Sequence, residues 1–316
     1  MKKIIPCIAL LIYLFSGLTV FAQMYHGGVP YVSYGYDQRD NPVAVPAPFY
    51  PLKEITGPSI SLSAFKDISD VYYDSDAQLL YITDKGNNRI VILDKDNKLH
   101  AILETFGDGD KFSAPSSVCV QGNTLYVADT KNARIVAFDK KTRELIRVYK
   151  KPEVSYLGGY EYQPLKIAVD LAGRIYVVAK DINKGLMFLD ENGEFQAFLG
   201  APPVQMDFLD LLWKRFMTKA QRESLLKAVP TEYNSVSIDS KGFLYVTTQS
   251  QNVKPIARLN SQGINILKYE GDKFPNGDGY YKDSDGKAIF STFVDLAVDS
   301  EGFYYGLDSA RGRIFA

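Results

Sequence analysis

A short apolar run built on a tyrosine recurs five times along this chain. The copies are Tyr81-Ile-Thr-Asp84, Tyr126-Val-Ala-Asp129, Tyr176-Val-Val-Ala179, Tyr245-Val-Thr-Thr248 and Tyr305-Gly-Leu-Asp308, spaced by 45, 50, 69 and 60 residues. Six or seven residues before each tyrosine another apolar run ends, at Asp74, Val120, Asp170, Asp239 and Asp299. Turn residues follow, with Gly122, Gly173, Gly242 and Gly302 in four of the five copies. A third run closes each of the first four copies, at Leu93-Asp94, Phe138-Asp139, Leu189-Asp190 and Leu259-Asn260. Short β-prone runs joined by Gly, Asn, Asp and Ser read as antiparallel strands with tight connections. A period near 40–50 residues with about four strands per unit predicts a β-propeller. One such sheet cannot bury both of its faces alone, so the units must stack around an axis.

Two of the copies resemble the NHL-repeat family of propellers. Tyr81-Ile-Thr-Asp-Lys-Gly-Asn-Asn-Arg-Ile-Val91 and Tyr126-Val-Ala-Asp-Thr-Lys-Asn-Ala-Arg-Ile-Val136 carry the match. The segment Asn276–Gly286, leading to Phe290 and Val294–Asp299, is similar to the family's inter-blade loop. The resemblance spans about residues 60–316 and weakens in the third and fourth copies, which lack the Asp and the Asn-x-Arg. It implies an all-β propeller of NHL-type four-stranded blades, five to six in number, the last one incomplete. The fifth copy stops at Arg313-Ile-Phe-Ala316, so C-terminal truncation is the expectation. The resemblance speaks to fold and says little about activity.

The chain opens Met-Lys-Lys, runs apolar from Ile4 to Ala22, and has small residues at Val20-Phe-Ala22. That pattern predicts a signal peptide over 1–22, cleaved before Gln23, with an uncleaved anchor as the rival. Secretion or display at the cell surface follows. Residues 23–60 are rich in Tyr and Pro, and Tyr31–Tyr36 can pair with Val43-Ala-Val across Asp37–Asn41. They are expected to form an arm that closes the ring, leaving 61–316 as the propeller. Apolar residues from Phe208 to Met217 recur at helical spacing, and Thr218-Lys-Ala-Gln221 fits a capping box. A helical hairpin inserted at about 203–230 is therefore expected, and it accounts for most of the 69-residue third spacing. Trp213, the chain's single tryptophan, and Phe216 are its candidate partner-binding residues.

Composition narrows the functions. A net charge of −1, near −3 without Lys2 and Lys3, and the lack of a basic stripe disfavour nucleic acid. Without Cys7 of the leader only Cys119 remains, read as a small buried hydrophobe. The two histidines, His26 and His100, sit beside no nucleophile motif, and they are too few for family members that hold zinc with several histidines. The Asp283-Ser-Asp-Gly286 run lacks the Glu that an EF-hand loop needs. Asp84 with Arg89, and Asp129 with Arg134, recur from blade to blade, which marks them as structural; exposed pairs are worth about 0–1 kcal/mol each.

The residues before each first strand are expected to face the axis at one funnel rim. They are Asp70, Ser117, Lys166, Asn234 and Asp295, with Glu232 beside Asn234. Two Asp, one Asn and one Glu can ligate Ca²⁺ or Mg²⁺, whereas Lys166 brings a competing positive charge. Two readings follow. One is an exported non-catalytic scaffold that binds a protein, peptide or glycan outside the cell, with no cofactor. The other is a divalent-metal-dependent lactonase or hydrolase, which six-bladed sugar lactonases resemble in layout. The discriminator is whether Asp70, Glu232, Asn234 and Asp295 converge on one point.

Overall fold

The computed structural model describes residues 34–39, 42–46, 51–153, 161–200, 232–248, 255–267, 291–310 and 312–315. The chain divides into two compact units, Met1–Thr56 and Gly57–Ala316. The signal segment, the expected helical hairpin at 203–230 with Trp213 and Phe216, and the loop at 276–286 lie outside the described residues. In the first unit β1 (Tyr34–Tyr36) pairs with β2 (Pro42–Ala44) in a two-stranded antiparallel sheet, the hairpin expected around Asp37–Asn41.

The second unit is an all-β propeller of five blades. Blade 1 comprises β3 (Ile68–Asp74), β4 (Leu79–Asp84), β5 (Arg89–Leu93) and β6 (Leu99–Leu103). A two-stranded ribbon follows, β7 (Thr105–Phe106) with β8 (Asp110–Lys111). Blade 2 comprises β9 (Pro115–Gln121), β10 (Thr124–Asp129), β11 (Arg134–Asp139) and β12 (Leu145–Tyr149). Blade 3 comprises β13 (Pro164–Val169), β14 (Ile175–Ala179), β15 (Leu186–Leu189) and β16 (Phe195–Leu199). Among the described residues blades 4 and 5 show three strands each. They are β17 (Tyr233–Ile238), β18 (Leu244–Thr248) and β19 (Ile256–Leu259), then β20 (Phe293–Val298), β21 (Tyr304–Asp308) and β22 (Arg313–Phe315).

The recurring tyrosine packs each blade onto the next. Tyr81, Ile90 and Ile92 of blade 1 form one core with Val118, Val120 and Leu125 of blade 2. Tyr126 and Ile135 meet Ile167 and Val169 of blade 3, and Tyr176 and Leu186 meet Val236 and Val246 of blade 4. Tyr245 and Ile256 complete the series against Phe293 and Leu296 of blade 5. Burying each such side chain stabilises the stack by about 1.5–3 kcal/mol. Blade 5 presents the same face uncovered: Ile314 is 62% exposed, whereas its counterparts Ile90, Ile135 and Ile256 are at most 2% exposed.

The tyrosine hydroxyl has a second task. Asp170 accepts from the Tyr176 hydroxyl at 3.1 Å, and Asp299 accepts from Tyr305 at 3.0 Å. The other oxygen of each Asp accepts backbone N–H groups of its own turn, as Asp239 does from Lys241 and Phe243. Gly173, Gly242 and Gly302 take φ of 79°, 82° and 94° in these turns, a region that favours glycine. The six-residue Asp-to-Tyr interval in the sequence is therefore a hydrogen-bonded hairpin.

The Asp-Asn-Arg set is a buried clamp and not a surface pair, which corrects its expected value. Asp129 is fully buried; it accepts from Ser113 N–H at 2.7 Å, Asn132 Nδ2 at 2.8 Å and Arg134 Nε at 2.8 Å. Asp84 repeats this with Lys66 N–H, Asn87 and Arg89. The clamp ties the segment entering a blade to the turn between its second and third strands. Removing one partner of a buried pair costs about 3–5 kcal/mol. Asp129→Ala should therefore lower the stability measured by urea unfolding by about that amount, while Asp96→Ala, on an exposed turn, should change it by under about 0.5 kcal/mol.

Candidate functional site

The five inner strands β3, β9, β13, β17 and β20 each sit at the edge of their sheet and carry the same irregularity. The register of each against its neighbour slips by one residue near its start, at 68–70, 115–117, 164–166, 233–235 and 293–295. The extra residue is a β-bulge, and it re-aims the side chains around it. Bulge residues with a donor reach to the next blade. Ser69 Oγ donates to the Pro115 carbonyl, Ser116 Oγ to Pro164, and Asn234 Nδ2 to Phe293.

The residue after the bulge takes the axial position. By register these are Asp70, Ser117, Lys166, Ser235 and Asp295, which stand opposite Thr83, Ala128, Val178, Thr247 and Leu307. Asn234 is thus not the rim residue of blade 4. Its amide is spent on Phe293 and on the Thr247 hydroxyl, and Ser235 holds the place assigned to it. A ten-residue count back from Tyr245, matching Lys166 to Tyr176 and Asp295 to Tyr305, is the pattern that identifies Ser235.

Three of the axial side chains converge. Lys166 Nζ lies 2.7 Å from Asp70 Oδ1 and 2.9 Å from Asp295 Oδ2. One ammonium on blade 3 therefore joins blades 1 and 5. Asp70 Oδ2 accepts Val118 N–H of blade 2, and Asp295 Oδ1 accepts the Ser235 hydroxyl of blade 4. All five blades are linked to this group, because Ser117 Oγ in turn accepts Ile167 N–H. Burial pulls the Lys166 pKa down, but the Asp70 and Asp295 carboxylates raise it more, leaving it above the ordinary lysine value. A raised lysine pKa means that the contribution is fully present at neutral pH and is lost only as pH climbs past the lysine range.

A cavity of about 720 Å³ runs along the axis from this triad. Asp70, Lys166 and Asp295 line it, and Ser117, Glu232 and Asn234 do not. The Glu232 carbonyl accepts the Thr248 hydroxyl at the start of blade 4. Beyond the triad the walls are the inner strands themselves, down to the turns that hold Leu171, Arg174, Ser240 and Lys241. Cys119 lines the wall too; it is buried, and burial raises its thiol pKa well above the usual range. Among the described residues no three His, Cys, Asp or Glu side chains gather into a metal-holding group.

One family model matches a blade of this architecture. The family model described as NHL repeat matches residues 112–138, which cover β9 to β11 of blade 2. The chain resembles the NHL-repeat β-propellers. No curated protein sequence matches it. Among solved structures it is similar to the β-propeller domain of Myceliophteria thermophila Cps50 (Swd1), at 10% identity and a TM-score of 0.46. That match covers 77% of this chain, which spans 62% of the other chain's length.

The triad predicts a specific pattern of variants. Lys166→Met should destabilise the fold by about 3–5 kcal/mol, because it leaves two carboxylates facing each other without their cation. Adding Asp70→Asn and Asp295→Asn to Lys166→Met should restore part of that loss. Chemical denaturation of the wild type, Lys166→Met, the Asp70→Asn/Asp295→Asn pair and the triple variant measures both, and additive losses would contradict the geometry.

Proposed function

We propose that this chain is an exported, non-catalytic β-propeller scaffold that binds a protein, peptide or glycan partner outside the cell. The observation that carries the non-catalytic part is the place of Lys166 Nζ, between Asp70 and Asp295. That is the point a divalent cation would take if these carboxylates were its ligands. Calcium takes six to eight oxygen ligands and magnesium a near-ideal octahedron. Here an ammonium already occupies that point, and Asn234 is turned to the blade 4–blade 5 contact. The metal-dependent lactonase reading gains no support from this arrangement.

Export is supported by Met1–Ala22, with its basic start, apolar run and small residues at the cleavage point. Binding is supported by the axial cavity, whose volume suits a ligand site. The apolar stripe around Trp213 and Phe216 is proposed as a second contact for a partner.

Thermal unfolding with EDTA, Ca²⁺ or Mg²⁺ tests the reading. A metal bound only by the folded state adds about 2.7 kcal/mol at one hundred times its Kd, which would raise Tm by several degrees. The scaffold reading expects no rise across millimolar metal. A rise that disappears in Asp70→Ala and Asp295→Ala would overturn it.

A further inference from the structure

The cavity has two unlike ends, and the difference says what it would bind and from which side. At the triad end Asp70 and Asp295 together carry one more charge than Lys166 neutralises. Asp70 is shut away, with its side chain 2% exposed, while the Asp295 side chain is 37% exposed and lines the cavity. Asp295 also accepts the Ser235 hydroxyl and the Leu296 N–H, so this end is a floor with one carboxylate that is engaged yet still partly exposed.

The opposite end is formed by the turns after the inner strands. Its carboxylates are engaged. Asp170 accepts from the Ala172 and Arg174 N–H groups, Arg174 Nε and Tyr176; Asp239 accepts from the Lys241 and Phe243 N–H groups, Tyr245 and Arg258. Arg174 uses its Nε on Asp170 and leaves its side chain 45% exposed. Lys241 is exposed and makes no side-chain ion pair among the described residues. Tyr73 and Leu171, 56% and 85% exposed, stand at the same end. This end is an open mouth with available cations and apolar surface.

The walls add a third property. Each inner strand has a sheet neighbour on one side only, so alternate backbone N–H and C=O groups point away from the sheet. From these features we infer that the cavity takes a short peptide with free ends, entering at the turn face opposite the expected rim. The peptide ammonium meets Asp295 at the floor, its amides run along the strand edges, and its carboxylate meets Lys241 and Arg174 at the mouth. This deepens the scaffold reading and rests on it, because it uses the cavity as a binding site without chemistry.

Isothermal titration calorimetry of the full chain with trialanine, N-acetyltrialanine and trialanine amide tests the assignment. Charged hydrogen bonds are worth about 1.5–3 kcal/mol, so acetylation should weaken binding by about tenfold or more, and amidation comparably. Lys241→Glu should bring trialanine down to the affinity of its amide and leave the amide unchanged. The ligand-side changes leave the protein's fold untouched. Equal binding of trialanine and N-acetyltrialanine would overturn the assignment, as would no heat from trialanine at millimolar concentration. Neither failure touches the scaffold reading, which stands or falls on the metal titration.

Discussion

The ammonium of Lys166 ties three of the propeller's five blades together by charge. Among the described residues, the apolar clusters join blade 1 to 2, 2 to 3, 3 to 4 and 4 to 5, helped by hydrogen bonds at the bulges and by the Lys140–Asp74 ion pair between blades 1 and 2. Sequential packing alone leaves the two ends of the series independent of each other. Lys166 reaches from the middle blade to both of them, through Asp70 and Asp295. The open face around Ile314 makes that tie more consequential, because blade 5 lacks the apolar cover that its predecessors have.

The same lysine decides how the axial cavity can work. Its charge fills the space between two carboxylates that would otherwise be the natural start of a cation site. It also leaves Asp295 as the partly exposed acid and sets a floor at one end. Entry therefore belongs to the turns, where the Asp-Tyr hairpins fix the loop shapes and saturate their own carboxylates. A structural device repeated for stability thus also determines which charges remain for a ligand.

Much of this was legible in the residues. The tyrosine period gave the propeller and a count of five to six blades, of which five are present, because a side chain that must cover the next blade recurs at the blade period. Asp84-Asn87-Arg89 and Asp129-Asn132-Arg134 were recognisable as structural, though their burial was not, since burial depends on the segment that enters each blade from outside the repeat. The axial set was read with Asn234 in place of Ser235 because a bulge adds a residue without altering composition. Ser117 follows from the repeat and holds its axial position, whereas Glu232 was added only as a neighbour of Asn234; the Ser117 hydroxyl accepts the Ile167 N–H, the Glu232 carbonyl accepts the Thr248 hydroxyl, and neither residue lines the cavity. The mouth was missed because its cations sit in turns that look like ordinary solvent-exposed loops.

Native-state hydrogen exchange on the wild-type chain and on Lys166→Met tests the central claim most directly. If Lys166 couples the first and last blades, amides of β3 and of β20 to β22 should lose protection together in the variant, while β10 and β11 keep most of theirs. Unchanged protection in β20 to β22, or a uniform loss across all five blades, would contradict a lysine-centred tie between blades 1, 3 and 5.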